Sequence, residues 1–172
     1  MWKVSKKKKI VFCGLACCGK TTAQKCFRSS TVLKFAQPHY DVLKILGVEK
    51  HRLFMQEFSD LVKKYFGEDI FVKIFERKAK IYNRIKSILI CEDLRYLIEF
   101  ESCLKNGWTM VYIEADEKLR KERSDRLGLD WNPNHNSEAD PPLFKNRCHY
   151  IITNNGTIDE FKQKIFELKK EL

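Results

Sequence analysis

Residues Gly14-Leu15-Ala16-Cys17-Cys18-Gly19-Lys20-Thr21 set two glycines, a lysine and a hydroxyl at the spacing G-x-x-x-x-G-K-[ST]. Glycines let the backbone curl until successive N–H groups converge on phosphate oxygens, and a helix starting at the lysine adds the positive end of its dipole. Lys20 is then the residue for the outer phosphates of a nucleoside triphosphate, and the Thr21 hydroxyl is of the kind that holds Mg²⁺. Gly14, Leu15, Ala16, Cys17, Cys18, Gly19, Lys20, Thr21 and Thr22 are therefore the expected ATP ligands, with Lys20 also catalytic and Thr21 also on the metal. ATP and Mg²⁺ are the expected cofactors.

A second group sits where an apolar run, Ile88-Leu89-Ile90-Cys91, ends in Glu92-Asp93. Carboxylates at the carboxyl end of a buried strand can organise magnesium or take a proton from an acceptor, and Asp93 is preferred over Glu92 for both duties. The alternative is that both merely open the next helix with favourable dipole charge. Arg95 has the planar fork that grips an acceptor phosphate, or it is a plain ion-pair partner. Arg120, Arg123 and Arg126 recur every three residues and would suit a segment that closes over transferring phosphate, so all three are catalytic candidates. They share their helix with Glu117, Lys118, Lys121, Glu122 and Asp125, and a solvated charged face is the competing reading. His39, His51, His135 and His149 form no recognisable triad with a serine or cysteine.

These residues need a scaffold that gathers strand ends. Strands are expected at 10–14, 32–36, 88–91, 109–113 and 149–153, alternating with helices at 20–28, 40–46, 52–65, 69–84, 94–105, 117–127 and from 158. In the 69–84 helix, Ile70, Phe71, Ile74, Phe75, Ile81, Tyr82 and Ile85 are read as one apolar face. Residues 128–142, rich in Gly, Asp, Asn, Pro and Ser, are read as a long loop. Thr157-Ile158-Asp159-Glu160 reads as a capping box. Strand–helix alternation over 172 residues implies one α/β domain, residues 1–172, with three α/β/α layers around a parallel five-stranded sheet. Ligands in such sheets sit at the carboxyl ends of the strands.

Composition narrows the partners. Hydrophobic residues make up 44% and charged residues 33%, an ordinary globular balance. No run nears the roughly 18 apolar residues of a membrane span, so no membrane partner is expected and the cytoplasm is the expected location. The seven cysteines are an odd number and most lie in apolar segments, so they read as reduced thiols. Adjacent Cys17 and Cys18 lack a second close pair, which argues against zinc. A formal charge of +10 suits nucleotide substrates. The Lys6–Lys9 run before the first strand reads as a solvated end, and nucleic acid is not expected as a partner. A homodimer stays open.

With these residues in place, the chain resembles the deoxynucleoside monophosphate kinases of phages and large DNA viruses, a branch of the P-loop kinases. Lys34-Phe35-Ala36-Gln37-Pro38 resembles that family's F-A-x-P element; Arg52 with Gln56 resembles its R-x-x-x-Q step, and Gly67-x-Asp69 its G-x-D. Asp93-Leu94-Arg95-Tyr96-x-x-Glu99 is similar to D-V-R-F-x-N-E, with Ile98 in place of Asn. His135-x-Ser137-Glu138 is similar to the lid's H-x-S-E, and Asn154-Asn155-Gly156 to the N-N-G turn near the adenine. The resemblance implies an acceptor-binding insertion of helices at about 36–85, a lid at about 117–147, Asn154 and Asn155 on ATP, and Phe35, Ala36, Pro38, Arg52, Gln56, Lys64, Asp69 and Arg95 on the acceptor. Lys64 stands where Arg is common, giving a point charge in place of a fork. The implied reaction is phosphoryl transfer from ATP to a deoxynucleoside monophosphate, giving the diphosphate. The alternatives are a P-loop kinase for another small acceptor, of the phosphomevalonate or dephospho-CoA type, and a non-catalytic module binding nucleotide or nucleic acid. A GTPase is disfavoured by the lack of N-K-x-D and D-x-x-G.

Overall fold

The computed structural model describes residues 8–85, 88–129, 131–132 and 138–172. Five parallel strands, β1 (Lys8–Cys13), β2 (Thr31–Leu33), β3 (Ile88–Cys91), β4 (Thr109–Glu114) and β5 (Tyr150–Thr153), lie in the order β2-β3-β1-β4-β5. The helices are α1 (Lys20–Lys25), α2 (Gln37–Leu46), α3 (Arg52–Phe66), α4 (Ile70–Ile85), α5 (Leu97–Lys105), α6 (Glu117–Arg126), α7 (Pro141–Phe144) and α8 (Ile158–Glu171). The chain leaves β1 toward one edge and β4 toward the other, so a crevice opens between two neighbouring strand ends. The P-loop pattern occupies that place.

Alternation along β1 decides both core layers. Ile10 and Phe12 face Phe27 of the α1 side and Phe161, Ile165 and Leu168 of α8. Val11 and Cys13 face the opposite layer, where Phe75 of α4, Phe100 of α5 and Phe144 of α7 are buried. Both faces of the sheet are covered, which is why β1, β3 and β4 read as continuous apolar runs. Thr157 accepts from the Glu160 amide at 3.2 Å while Glu160 accepts from the Thr157 amide at 2.7 Å, so the capping box forms as read.

Several local readings change: α2 begins at Gln37 and not at Tyr40, with Pro38 in its first turn, and α1 ends at Lys25 and not at Arg28. The buried stripe of α4 is Phe71, Val72, Phe75 and Ala79; Ile81 and Ile85 are exposed, because the helix meets the sheet along the first of these faces. β2 ends at Leu33 and not at Ala36, since the amides of Phe35 and Ala36 turn to the Asp93 carboxylate and leave the ladder. α5 begins at Leu97 and not at Leu94: Glu99 Oε2 takes the amides of Arg95 and Tyr96 at 2.7 and 3.1 Å, holding them outside the helix. The supposed loop at 128–142 holds the start of α7, with Asp140 before Pro141 at the first helical position. Asp140 also accepts the Leu97 amide at 2.8 Å, and Phe144 stacks on Phe100 with centroids 4.6 Å apart, tying the segment to α5.

Phe75 is 2% exposed and stacks on Phe35 at 4.0 Å, beside Trp108 at 5.3 Å. Truncation to alanine removes these ring contacts and opens a cavity in the core, so Phe75→Ala should cost about 3–5 kcal/mol in urea unfolding. Phe166→Ala, at a site 54% exposed, should change stability by less than about 1 kcal/mol.

Candidate active site

The loop after β1 is bent by three residues in the left-handed region: Gly14 (φ 131°), Cys17 (φ 59°) and Gly19 (φ 116°). A Cβ on Gly14 would stand 2.2 Å from the carbonyl oxygen of Ile113, and one on Gly19 would stand 2.5 Å from Asn154 Nδ2. Neither position has room for a side chain. A loop curled in this way ahead of a helix is an arrangement that binds anions through its backbone N–H groups. An anion is already there: the Ala16 amide donates to Glu138 Oε2 at 2.6 Å. The donor set thus fits phosphate.

Lys20 is 7% exposed, and its ammonium donates to the carbonyls of Gly14 and Leu15 at 2.7 and 2.8 Å. Burial pushes its pKa down, with the nearby Arg95 guanidinium adding to the effect. Thr21 is exposed in the first turn of α1, so its hydroxyl is open to solvent and to a metal.

Asn154 lies beneath the loop. It is 6% exposed, its Nδ2 donates to the Cys18 carbonyl at 2.8 Å, and its own carbonyl accepts from Arg123 Nη2 at 2.9 Å. Its role here is a strut between β5 and the phosphate loop, which leaves its side-chain nitrogen committed. Asn155 accepts the Asp116 amide at 2.9 Å and joins the turns after β4 and β5.

The three arginines of α6 separate. Arg120 is buried, donates to the Ala115 carbonyl at 3.2 Å and the Ala16 carbonyl at 3.4 Å, and sits over the Trp131 ring at 5.3 Å. Arg123 reaches Asn154 and leaves Nη1 buried without a partner among the described residues. Arg126 is exposed at the end of the helix. Residues three apart diverge by about 60° around a helix axis, so two of the three face the loop and the third turns away.

On the other side of the loop, a cleft of about 860 Å³ is walled by Phe35, Ala36, His39, Gln56, Lys63, Phe71, Asp93, Arg95, Tyr96 and Glu99, among others. Phe35, Ala36, Gln56 and Arg95, four of the residues expected on the acceptor, line this one cleft. Lys64 does not line the cleft; Lys63 does, its ammonium over the Tyr96 ring at 5.0 Å. The spacing of Gln56, Asp60 and Lys63 along one helical face carries this signal, which the family comparison of single positions missed. Asp69 pairs with Lys73 at 2.9 Å, and Pro38 sits in the first turn of α2; neither lines the cleft. Arg52 opens α3. Its side chain, together with Met1–Lys7, His135 and Ser137, lies outside the described residues.

His39 is a cleft-wall residue that the sequence left unassigned. Its ring lies 4.7 Å from that of Phe71 and 5.2 Å from that of Phe58, and burial holds its pKa below the ordinary histidine range.

No protein-family model matches the sequence, and no curated protein matches it. Among solved structures the chain is similar to a shikimate kinase from Acinetobacter baumannii in complex with shikimate (18% identity, 97% of this chain and 95% of that one, TM-score 0.56). It is also similar to dephospho-CoA kinase from Campylobacter jejuni (16%, 94% of each chain, 0.55) and shikimate kinase from Aquifex aeolicus (17%, 94% and 96%, 0.54). The fold is that of the small P-loop kinases.

In this P-loop kinase fold Asp93 behaves differently from the sequence expectation of a metal or proton-accepting group. One oxygen accepts the Phe35 amide at 3.1 Å and the other the Ala36 amide at 3.0 Å, so the carboxylate clamps the cleft wall. Desolvation raises its pKa while those amides pull it down. Its neighbour Glu92 pairs with Lys34 at 3.4 Å through one oxygen; the other is buried without a partner among the described residues. No cluster of three or more His, Cys, Asp or Glu side chains suited to a metal occurs among the described residues. No described helix is long and apolar enough to cross a membrane.

Glu99 is 7% exposed, and burial pushes its carboxyl from 4.5 up to about 8 despite the two amides it accepts. Between those values the unfolded chain releases this proton while the folded chain keeps it. The unfolded state therefore binds fewer protons, and stability falls as pH rises through the window. Glu99→Gln keeps an acceptor for the cap and removes the titration. Urea unfolding from pH 4.5 to 8 should show a slope of stability against pH more negative in the parent than in the variant, by at most about 1.4 kcal/mol per pH unit; equal slopes would refute the shift.

Proposed function

We propose that the protein transfers the γ-phosphate of ATP to a deoxynucleoside monophosphate. The observation that carries this reading is the position of Arg95: it stands on the cleft wall and shares one carboxylate, Glu138, with the Ala16 amide of the phosphate loop. A cation that binds acceptor phosphate is thereby held beside the cradle that binds donor phosphate. Positioning of this kind, plus stabilisation of spreading negative charge, is most of what phosphoryl transfer requires.

The loop amides and Lys20 would hold the donor phosphates, with Lys20 swinging from the Gly14 and Leu15 carbonyls to do so. Thr21 would hold Mg²⁺, which supplies charge neutralisation between the outer phosphates when bound. Arg120 would serve from beside Ala16, and Arg123 would keep Asn154 and the loop in place. Phe35, His39 and Phe71 offer a flat, mostly apolar wall suited to a base, while Arg95 and Lys63 offer charge to the acceptor phosphate. Asp93 is engaged by two amides, which speaks for an acceptor needing no strong base. A phosphate monoester meets that condition near neutral pH.

The second reading, a kinase for another small acceptor, is favoured by the structural neighbours, which are a shikimate kinase and a dephospho-CoA kinase. ADP formation from ATP and Mg²⁺ with each deoxynucleoside monophosphate, shikimate and dephospho-CoA separates the two. Stimulation by one or two monophosphates is expected, with Lys20→Ala lowering turnover by at least about a hundredfold. Stimulation by shikimate or dephospho-CoA alone would move the assignment to the second reading.

A further inference from the structure

Glu138 lies on neither of the surfaces assigned above, yet it touches both. Its side chain is 6% exposed, its Oε2 accepts the Ala16 amide at 2.6 Å, and its Oε1 accepts from Arg95 Nη1 at 2.5 Å. Ala16 is held from its other side by Arg120, which reaches its carbonyl. The carboxylate therefore spans from a donor-phosphate ligand to an acceptor-phosphate ligand. Backbone amides and guanidinium groups recognise carboxylate and phosphate by the same hydrogen bonds.

We infer that Glu138 is an internal phosphate substitute that couples the two substrate sites. The inference rests on the assignment of the loop to donor phosphate and of Arg95 to acceptor phosphate. Without substrates, one carboxylate satisfies the demand for an anion of both the Ala16 amide and the Arg95 guanidinium. Donor phosphates entering the loop take the Ala16 amide and set two like charges side by side, which drives Glu138 away and frees Arg95. Acceptor phosphate arriving at Arg95 removes the guanidinium that anchors Glu138 and frees Ala16. Whichever ligand binds first bears the cost of displacement, and the second binds without it. The two substrates then bind with positive cooperativity, and by thermodynamic reciprocity each tightens the other by the same factor. A purely structural Glu138, one that only holds the loop in shape, produces no such coupling.

The test is calorimetric titration of a non-hydrolysable ATP analogue with Mg²⁺, alone and with each deoxynucleoside monophosphate, into the parent and into Glu138→Gln, which keeps the side chain's shape and removes its charge. The parent should bind the analogue more tightly once the acceptor is present. The variant should bind the analogue alone about 5- to 30-fold more tightly than the parent does, and acceptor should tighten it no further. Equal or weaker binding by the variant, or coupling as large as the parent's, overturns the inference and leaves the kinase reading standing. Failure of the analogue to bind either protein overturns the loop assignment and the inference together. Should Glu138→Gln fail to fold, Glu138→Asp, one methylene too short to span both partners, is read in the same way.

Discussion

Everything at the site depends on how closely the loop after β1 presses against the ends of β4 and β5. Gly14 lies where any side chain would collide with the Ile113 carbonyl, and Gly19 lies against the amide of Asn154. These contacts exist only because β4 is the neighbour of β1 and β5 the neighbour of β4. The strand order and the curl of the loop are thus one constraint seen at two scales. The left-handed turns aim the amides, while Asn154, braced by Arg123, fixes the loop's height above the sheet.

Carboxylates do unusual duty around that loop. Asp93 takes the amides of Phe35 and Ala36, Glu99 those of Arg95 and Tyr96, Asp140 that of Leu97, and Glu138 that of Ala16. Apart from Leu97, the exposed first residue of α5, each amide belongs to a residue where the chain has left a ladder or has not yet entered a helix, and a backbone N–H buried there needs a partner. Buried acids meet that need with charge-assisted bonds. The outcome is a cleft whose walls are pinned by side chains from distant parts of the chain, with Arg95 on its wall tied through Glu138 to the phosphate loop.

The fold was largely legible in the sequence, for a physical reason. A strand covered on both faces must be apolar throughout, so Ile10 to Cys13, Ile88 to Cys91 and Thr109 to Ile113 announce a parallel sheet without any knowledge of their neighbours. The capping box at Thr157 and Glu160 was equally plain, because both partners lie within one turn. What failed was local structure decided from afar: β2 stops short and α5 starts late because their amides answer to carboxylates that the one-dimensional pattern does not pair with them. The short helix α7 did carry a signal, Asp140 before Pro141, submerged in a stretch whose composition says loop.

Of the site, the sequence by itself determined the phosphate loop, since backbone curl, lysine and hydroxyl are all supplied by eight consecutive residues. It also marked Arg95 and the neighbourhood of Asp93. Only the tertiary structure decided what those side chains do. Asp93, on the cleft wall, is engaged by two amides; Lys63 and not Lys64 turns to the cleft; Asn154 props the loop from below; Glu138, 43 residues beyond Arg95, closes on it. Contacts within a few residues follow from the covalent chain and its allowed turns, whereas the direction of a side chain across a sheet follows from packing that no local pattern records.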